Sequence, residues 1–240
     1  MNGRYSYAIA QDAPSDRIEV VKRNRALAFL KTKQFDAALS DTGFPSFGAV
    51  PAEKALFRAA EALYYLERFN ECVEVLETLC ARFSDNHQAS AVLARARSRC
   101  VEQRTGEYDF KLLQLEAKKL QPPQLDRATY IGPVEIREAV GKGRGLFSTA
   151  AVKSGDLLLC EKAFSHAFVS EKAVGNSRTS LLVNTDTDQG FMGGQADLIT
   201  LIVQKLYRNP SLAPAFVALH HGTYEPADRL AVDDTPIVDT

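Results

Sequence analysis

Residues Gly141 to Phe164 read GKGRGLFSTAAVKSGDLLLCEKAF. The stretch parses as a glycine turn, a short strand, a tight Lys-Ser-Gly turn and a second apolar strand. Glycine permits positive φ and lets a backbone approach a ligand without a side-chain clash, so Gly143 and Gly145 around Arg144 mark a special turn. Successive amides in such a turn can converge on a carboxylate, and Lys142 and Arg144 add positive charge. A plain β-turn is the alternative. A phosphate loop does not fit, because no Gly-Lys-Ser/Thr follows and a strand, not a helix, comes next.

Upstream, YIGPVEIRE (Tyr130 to Glu138) alternates at Val134 and Ile136, as a strand with one apolar face does. Asp156 to Lys162, DLLLCEK, is a short apolar run consistent with a buried strand, and Phe147 and Leu157 are expected in the core of a small sheet. Val169 to Gln195 is polar and too long for an ordinary connection, which predicts a mobile loop or an insertion. Leu198, Ile202, Lys205 and Leu206 fall at helical spacing and predict a helix over 197–208, ended by Asn209 and Pro210. A second helix is expected over 213–219, and 230–240 looks like the entry to a strand.

The first half repeats itself. Ala26, Phe29, Phe35 and Ala38 recur as Ala60, Leu63, Phe69 and Cys72, each offset by 34 residues. Small residues stand where paired helices approach closely, and larger apolar residues fill the space between them. That period and pattern are those of tetratricopeptide (TPR) repeats; a generic bundle of helical hairpins is the alternative. A weaker third unit is expected from His87 to Gln103, with Ala91, Ala94 and Val101 on related faces. Gly106 breaks it, and Tyr108 to Leu120 predicts a further helix with Phe110, Leu113 and Ala117 along one side. Pro122 and Pro123 stop that helix, because proline lacks the amide donor and clashes with the preceding turn.

Composition bounds the function. The chain has 240 residues, 45% of them hydrophobic, and a net charge of −1, which argues against a nucleic-acid partner. The run RARSRC near Arg95 to Arg99 therefore reads as a solvated helix face. No apolar run approaches the ~18 residues of a membrane span, and the first residues lack the pattern of a secretory signal. Cys72, Cys80, Cys100 and Cys160 have no CxxC pairing and read as reduced thiols, which points to a cytoplasmic or nuclear protein. His220 and His221 are adjacent, with no zinc-like spacing to other ligands, so no metal site is assigned.

The stretch VEIREAVGKGRGLFSTAAVKSGDLLLCEKAF resembles the opening of a SET domain, the S-adenosylmethionine (AdoMet)-dependent fold that methylates protein lysines. With the helical half and the linker TGEYDFKLLQLEAKKLQPPQLDRATYIGP, the chain resembles fungal proteins that join TPR repeats to a SET domain. These are related to the SET-and-MYND methyltransferases, though no MYND zinc cysteines occur here. The resemblance implies an α+β fold: TPR-like helices over 17–120, a linker over 121–129, and a partial SET domain over 130–240. It implies AdoMet as cofactor, with Lys142, Gly143, Arg144 and Gly145 lining its pocket, and a protein substrate. The family's Asn-His motif and active-site tyrosine have no match. Tyr207 and Tyr224 lie outside that context, so no catalytic residue is assigned and the chain is expected to be inactive, cut within its SET domain.

The repeats suggest a second kind of site. TPR proteins that bind acidic chaperone tails grip the terminal carboxylate with lysine, arginine and asparagine side chains. KRNRALAFLK resembles a clamp repeat with Asn24 at its asparagine position, and Lys54 and Arg58 match the next repeat's lysine and arginine, one turn apart. Ordinary solvated positions are the alternative reading of all three. The rival to the methyltransferase reading is thus an interaction scaffold with a vestigial SET segment, its repeats binding a protein such as an acidic chaperone tail.

Overall fold

A computed structural model of the chain describes residues 2–10, 14–48, 50–168, 180–185 and 188–219. Seven helices come first: α1 (Asn2–Ala10), α2 (Ser15–Lys31), α3 (Phe35–Asp41), α4 (Glu53–Tyr65), α5 (Phe69–Arg82), α6 (His87–Thr105) and α7 (Phe110–Lys119). Six short strands and two further helices follow: β1 (Tyr130–Ile131), β2 (Val134–Ala139), β3 (Gly143–Ser148), β4 (Leu159–Cys160), β5 (Leu181–Asn184), β6 (Gln189–Met192), α8 (Gly194–Arg208) and α9 (Ala213–Val217). Helices and small sheets thus segregate along the chain, an α+β arrangement.

From α1 to α6 each helix packs on the next. The 34-residue recurrence is visible atom by atom. Ala26 and Ala60 are fully buried, as are Ala38 and Cys72. The two turns between paired helices are copies of each other. Lys33 has φ 58 and Glu67 has φ 60, left-handed backbone at equivalent positions. The Gln34 amide donates to the Phe29 carbonyl at 2.9 Å, and the Arg68 amide donates to that of Leu63 at 2.9 Å. Each is the six-residue closure that terminates a helix around a left-handed residue and uses a carbonyl the helix itself leaves unpaired.

The core lies between α3, α4, α5 and α6. Leu56, Leu63, Leu76 and Leu79 are its largest fully buried side chains. Truncating any one to alanine removes transfer energy and leaves a cavity, a cost of about 2–5 kcal/mol. Arg25 closes the α2–α3 hairpin with a two-point contact to Asp41, Nε to Oδ2 at 2.6 Å and Nη2 to Oδ1 at 2.7 Å. Asn86 caps α6 by accepting the Ala89 amide at 2.8 Å, and Gly106, at φ 66, ends it. A Cβ at Gly106 would lie 2.5 Å from the Tyr130 ring, so this glycine also makes room for the chain's return.

Several expectations change here. Residues upstream of 17 contribute α1, which packs on α2, and α2 itself begins at Ser15. In α6 the buried face is Ala89, Leu93, Ala96 and Arg99, while Ala91, Ala94 and Val101 are exposed. The helix turns its alanine–arginine face inward because the linker 121–129 offers Asp126 there, a partner that apolar periodicity cannot reveal. In α7, Leu113 and Ala117 are half-buried but Phe110 is exposed. The run 156–162 is no buried strand: only Leu159–Cys160 pairs, antiparallel to Ile131 and Tyr130, and Leu159 is exposed. Part of the expected loop 169–195 is ordered as the β5–β6 hairpin, from which α8 starts three residues earlier than predicted. Residues 220–240, with the expected final strand, Tyr224, His220 and His221, lie outside the described residues.

Candidate functional site

The glycine turn sits at the tip of the β2–β3 hairpin. Six residue pairs run from Val134 opposite Ser148 to Ala139 opposite Gly143. The Lys142 amide donates to the Ala139 carbonyl at 2.9 Å and closes the turn. Gly141 and Gly143 have φ 70 and 72, and a Cβ on either would meet nothing within 4 Å. Positive φ is therefore required at Gly143, as expected. It is not found at Gly145. There the missing side chain serves packing: a Cβ would lie 3.1 Å from Cε2 of Phe147.

Phe147 is not a core residue. It is exposed, and Arg137 lies over its ring at 4.9 Å while pairing with Glu135 at 2.8 Å. Arg144 points elsewhere. Both of its terminal nitrogens donate to the Ala218 carbonyl at 3.0 Å, just past the end of α9. A cation at the carboxyl end of a helix meets unpaired carbonyls and the negative end of the dipole. Lys142 is exposed. The turn thus offers an open glycine backbone beside the exposed Lys142, while Arg144 is engaged at the end of α9.

The three clamp candidates separate. Asn24 and Lys54 are exposed; Arg58 is buried, and its Nη1 donates to the Arg23 carbonyl. Burial pulls the Arg58 guanidinium below its ordinary value, with Glu61 opposing and Arg23 adding to the shift. Glu61, one turn on, is half-buried. Burial raises its carboxyl, while Lys31, Arg58 and Arg95 pull it back down. Sequence reasoning missed Lys31, Glu61 and Arg95, which bring charge from α2, α4 and α6 to one place. The Arg58–Glu61 spacing was the available signal; the neighbours from other helices were not legible.

The run Arg95 to Arg99 divides: Arg95, Arg97 and Ser98 are exposed as expected, but Ala96 and Arg99 turn inward. Arg99 is 4% exposed and donates to the Asp126 carbonyl and to Glu102 Oε1, the latter at 2.6 Å. Arg95 lies 4.4 Å above the Tyr64 ring, and Arg97 pairs with Glu77 at 2.8 Å. Tyr64 donates to Asp126 Oδ1 at 2.7 Å. Glu102 Oε2 accepts the Ala128 amide at 3.0 Å. These contacts bind the linker to the repeat, because a buried guanidinium is stable only where carboxylates and carbonyls meet its charge.

All four cysteines are free thiols. Among the described residues no cluster of three potential metal ligands occurs, and no helix is long and apolar enough to cross a membrane.

The chain is 42% identical, over 236 residues, to a protein of Gibberella zeae named a methyltransferase; the match covers 98% of this chain and 32% of that relative. The chain therefore spans about a third of that relative's length. Over 87 residues it is 32% identical to a Drosophila melanogaster protein named a DNA polymerase interacting, tetratricopeptide repeat-containing protein of 47 kDa, covering 36% of this chain and 22% of that protein. No family model matches the chain, and no solved structure matches it.

Proposed function

We propose that this chain is part of a SET-type, AdoMet-dependent protein-lysine methyltransferase whose TPR-like helices hold a protein partner or substrate. The observation that carries the reading is the 42% identity along 236 residues with a protein named a methyltransferase. The geometry of the glycine turn supports it. Lys142 and Gly143 would hold the carboxylate end of the cofactor by charge and open backbone; Arg144 would join them on leaving the Ala218 carbonyl, and Gly145 leaves room for the Phe147 ring on the same strand. AdoMet, when bound, supplies the methyl group. No side chain of the 240 residues is given a catalytic role. Alignment of a lysine amine with the methyl donor needs a positioned channel, and no residue here matches the family's asparagine, histidine or tyrosine.

The test is AdoMet binding by calorimetry, alongside methyl transfer from labelled AdoMet. The 240-residue chain is expected to bind weakly and to transfer nothing. A polypeptide of the length of the Gibberella zeae relative is expected to be active, and Gly143→Val in it inactive, because a β-branched residue at φ 72 is strained. Methyl transfer by the short chain that survives in the Gly143→Val variant would overturn the assigned turn.

A second reading, an interaction scaffold, is supported by the 34-residue recurrence and the partial likeness to a TPR-containing protein. The charged cluster of Lys31, Arg58, Glu61 and Arg95, with the exposed Asn24 on α2 and Lys54 on α4, would then meet an acidic chaperone-like tail. Binding of a free-acid peptide but not its amide, weakened by Lys54→Ala, supports this reading; equal binding of both peptides counts against it.

A further inference from the structure

Arg144 ties the glycine turn to a helix end 74 residues further along the chain. It pairs with no carboxylate among the described residues, although Glu138 stands opposite it in the hairpin. Both of its terminal nitrogens share the single carbonyl oxygen of Ala218 instead, each at 3.0 Å. Strands β2 and β3 pack substantially only on each other, and no other described hydrogen bond joins this hairpin to α9.

The helix at the other end of this tie is weakly held. It has five residues and buries none of them. Its described packing is on the preceding turn Pro210–Leu212, with the Phe216 ring 5.1 Å from that of Phe164. It closes with the Ala218 amide donating to the Pro214 carbonyl at 3.2 Å and the Leu219 amide donating to that of Phe216 at 3.1 Å. A cation on the last carbonyl steadies so short a helix, because it meets the negative end of the dipole. Against a carboxylate, however, this contact is the weaker one. A carbonyl is neutral, whereas a carboxylate takes a guanidinium by two parallel bonds, each about twice as strong as a bond between neutral groups. Leaving Ala218 strands no buried group, since that residue is exposed and water can take the guanidinium's place on its carbonyl.

We infer that Arg144 is a latch, which holds the end of α9 and lets it go when an amino-acid carboxylate arrives at Lys142 and Gly143 and takes the guanidinium. The inference rests on the proposed reading of the turn, in which that carboxylate belongs to AdoMet. One guanidinium cannot serve both acceptors, so ligand binding and the order of α9 oppose each other. The coupling is reciprocal: the ligand loosens α9, and the intact contact at Ala218 weakens the ligand by the same factor.

The test is exchange of the Ala218 and Leu219 amides in the 240-residue chain, with AdoMet binding followed by calorimetry in parallel. Without ligand, Arg144→Ala should speed both amides several-fold and leave those of α4 unchanged; Arg144→Gln replaces it if the α4 amides change as well. AdoMet, at concentrations where calorimetry shows it bound, should bring the wild-type rates up to those of the variant and leave the variant's rates as they are. Decarboxylated AdoMet, which lacks the group the latch reads, should leave the wild-type rates unchanged. Unaltered exchange in both variants overturns the latch, as does AdoMet that binds with α9 still protected, or a decarboxylated analogue that loosens α9 equally. Each of these results leaves the proposed methyltransferase reading standing. Calorimetry that shows no AdoMet binding removes the proposed cofactor turn and the latch with it.

Discussion

The side chain of Asn209 caps the backbone of Phe35: its Oδ1 accepts the Phe35 amide at 2.7 Å, across 174 residues of chain. Its Nδ2 donates to the Lys33 carbonyl at 3.0 Å and to that of Lys205 at 3.2 Å. One amide group, 2% exposed, thus satisfies the first turn of α3, the left-handed turn before it and the last turn of α8. Ser211 adds to the joint by donating its amide and hydroxyl to Asp36, at 2.8 and 2.7 Å. The equivalent turn of the next repeat is held too, with Lys162 Nζ at 2.8 Å from Glu67 Oε1. Both copies of the repeated turn are thus contacted by the C-terminal half.

Asn209→Ala is expected to destabilise the chain by about 1–3 kcal/mol, since the half-buried Phe35 amide and the Lys33 carbonyl both lose a partner. The urea midpoint, followed by circular dichroism, reads this out. Ser211→Ala, at an exposed pair, should cost less. A midpoint unchanged by Asn209→Ala would show that water replaces the asparagine.

Ala60 is fully buried at the close approach of α4 and α5, with the Cys72 thiol 3.2 Å from its carbonyl. Ala60→Leu should overpack this contact and cost about 1–3 kcal/mol. Ala26, its counterpart one repeat earlier, should respond with the same sign. Thermal unfolding of both variants, with Ala91→Leu on the exposed side of α6 as control, separates overpacking from a general effect of leucine.

Tyr64 gives the fold a dependence on alkaline pH. Burial first, then the hydrogen bond to Asp126, holds its phenol well above the ordinary value of 10.0. The folded state therefore binds this proton more tightly than the unfolded one. The resulting stabilisation is complete below the unfolded value and is lost as pH rises through the folded one. Stability of the native chain should fall above about pH 10. In Tyr64→Phe stability should start lower and change less over that range. Parallel curves for the two proteins would place the alkaline loss at other groups.

The two halves should differ in amide exchange. α4 and α5 are lined with fully buried side chains, whereas β2–β3 and β5–β6 are isolated two-stranded pairs with Ile136, Leu181 and Met192 exposed. Exchange free energy follows buried contact, so the hairpins should exchange well before α4 and α5. Equal protection would mean that the sheets are covered in solution by something further.

The sequence by itself determined the repeat. Ala26 with Ala60 and Phe35 with Phe69 recur because close helix packing needs small and large residues at fixed spacing. The positions of α4, α5 and α8 and the β2–β3 hairpin were also legible, since they follow from local periodicity and turn chemistry. Tertiary structure alone decided where the polar side chains go. Arg58 and Arg99 look like solvated cations in sequence and are buried, because acceptors arrive from Arg23 and from the linker at Asp126. Asn209 looks like a helix stop and is a joint. Gly145 looks like a ligand turn and makes space for Phe147. The physical reason is common to all of these. Apolar burial is written in periodicity along one segment, whereas a polar group is buried only where a partner from another segment meets it, and that meeting is fixed by the fold.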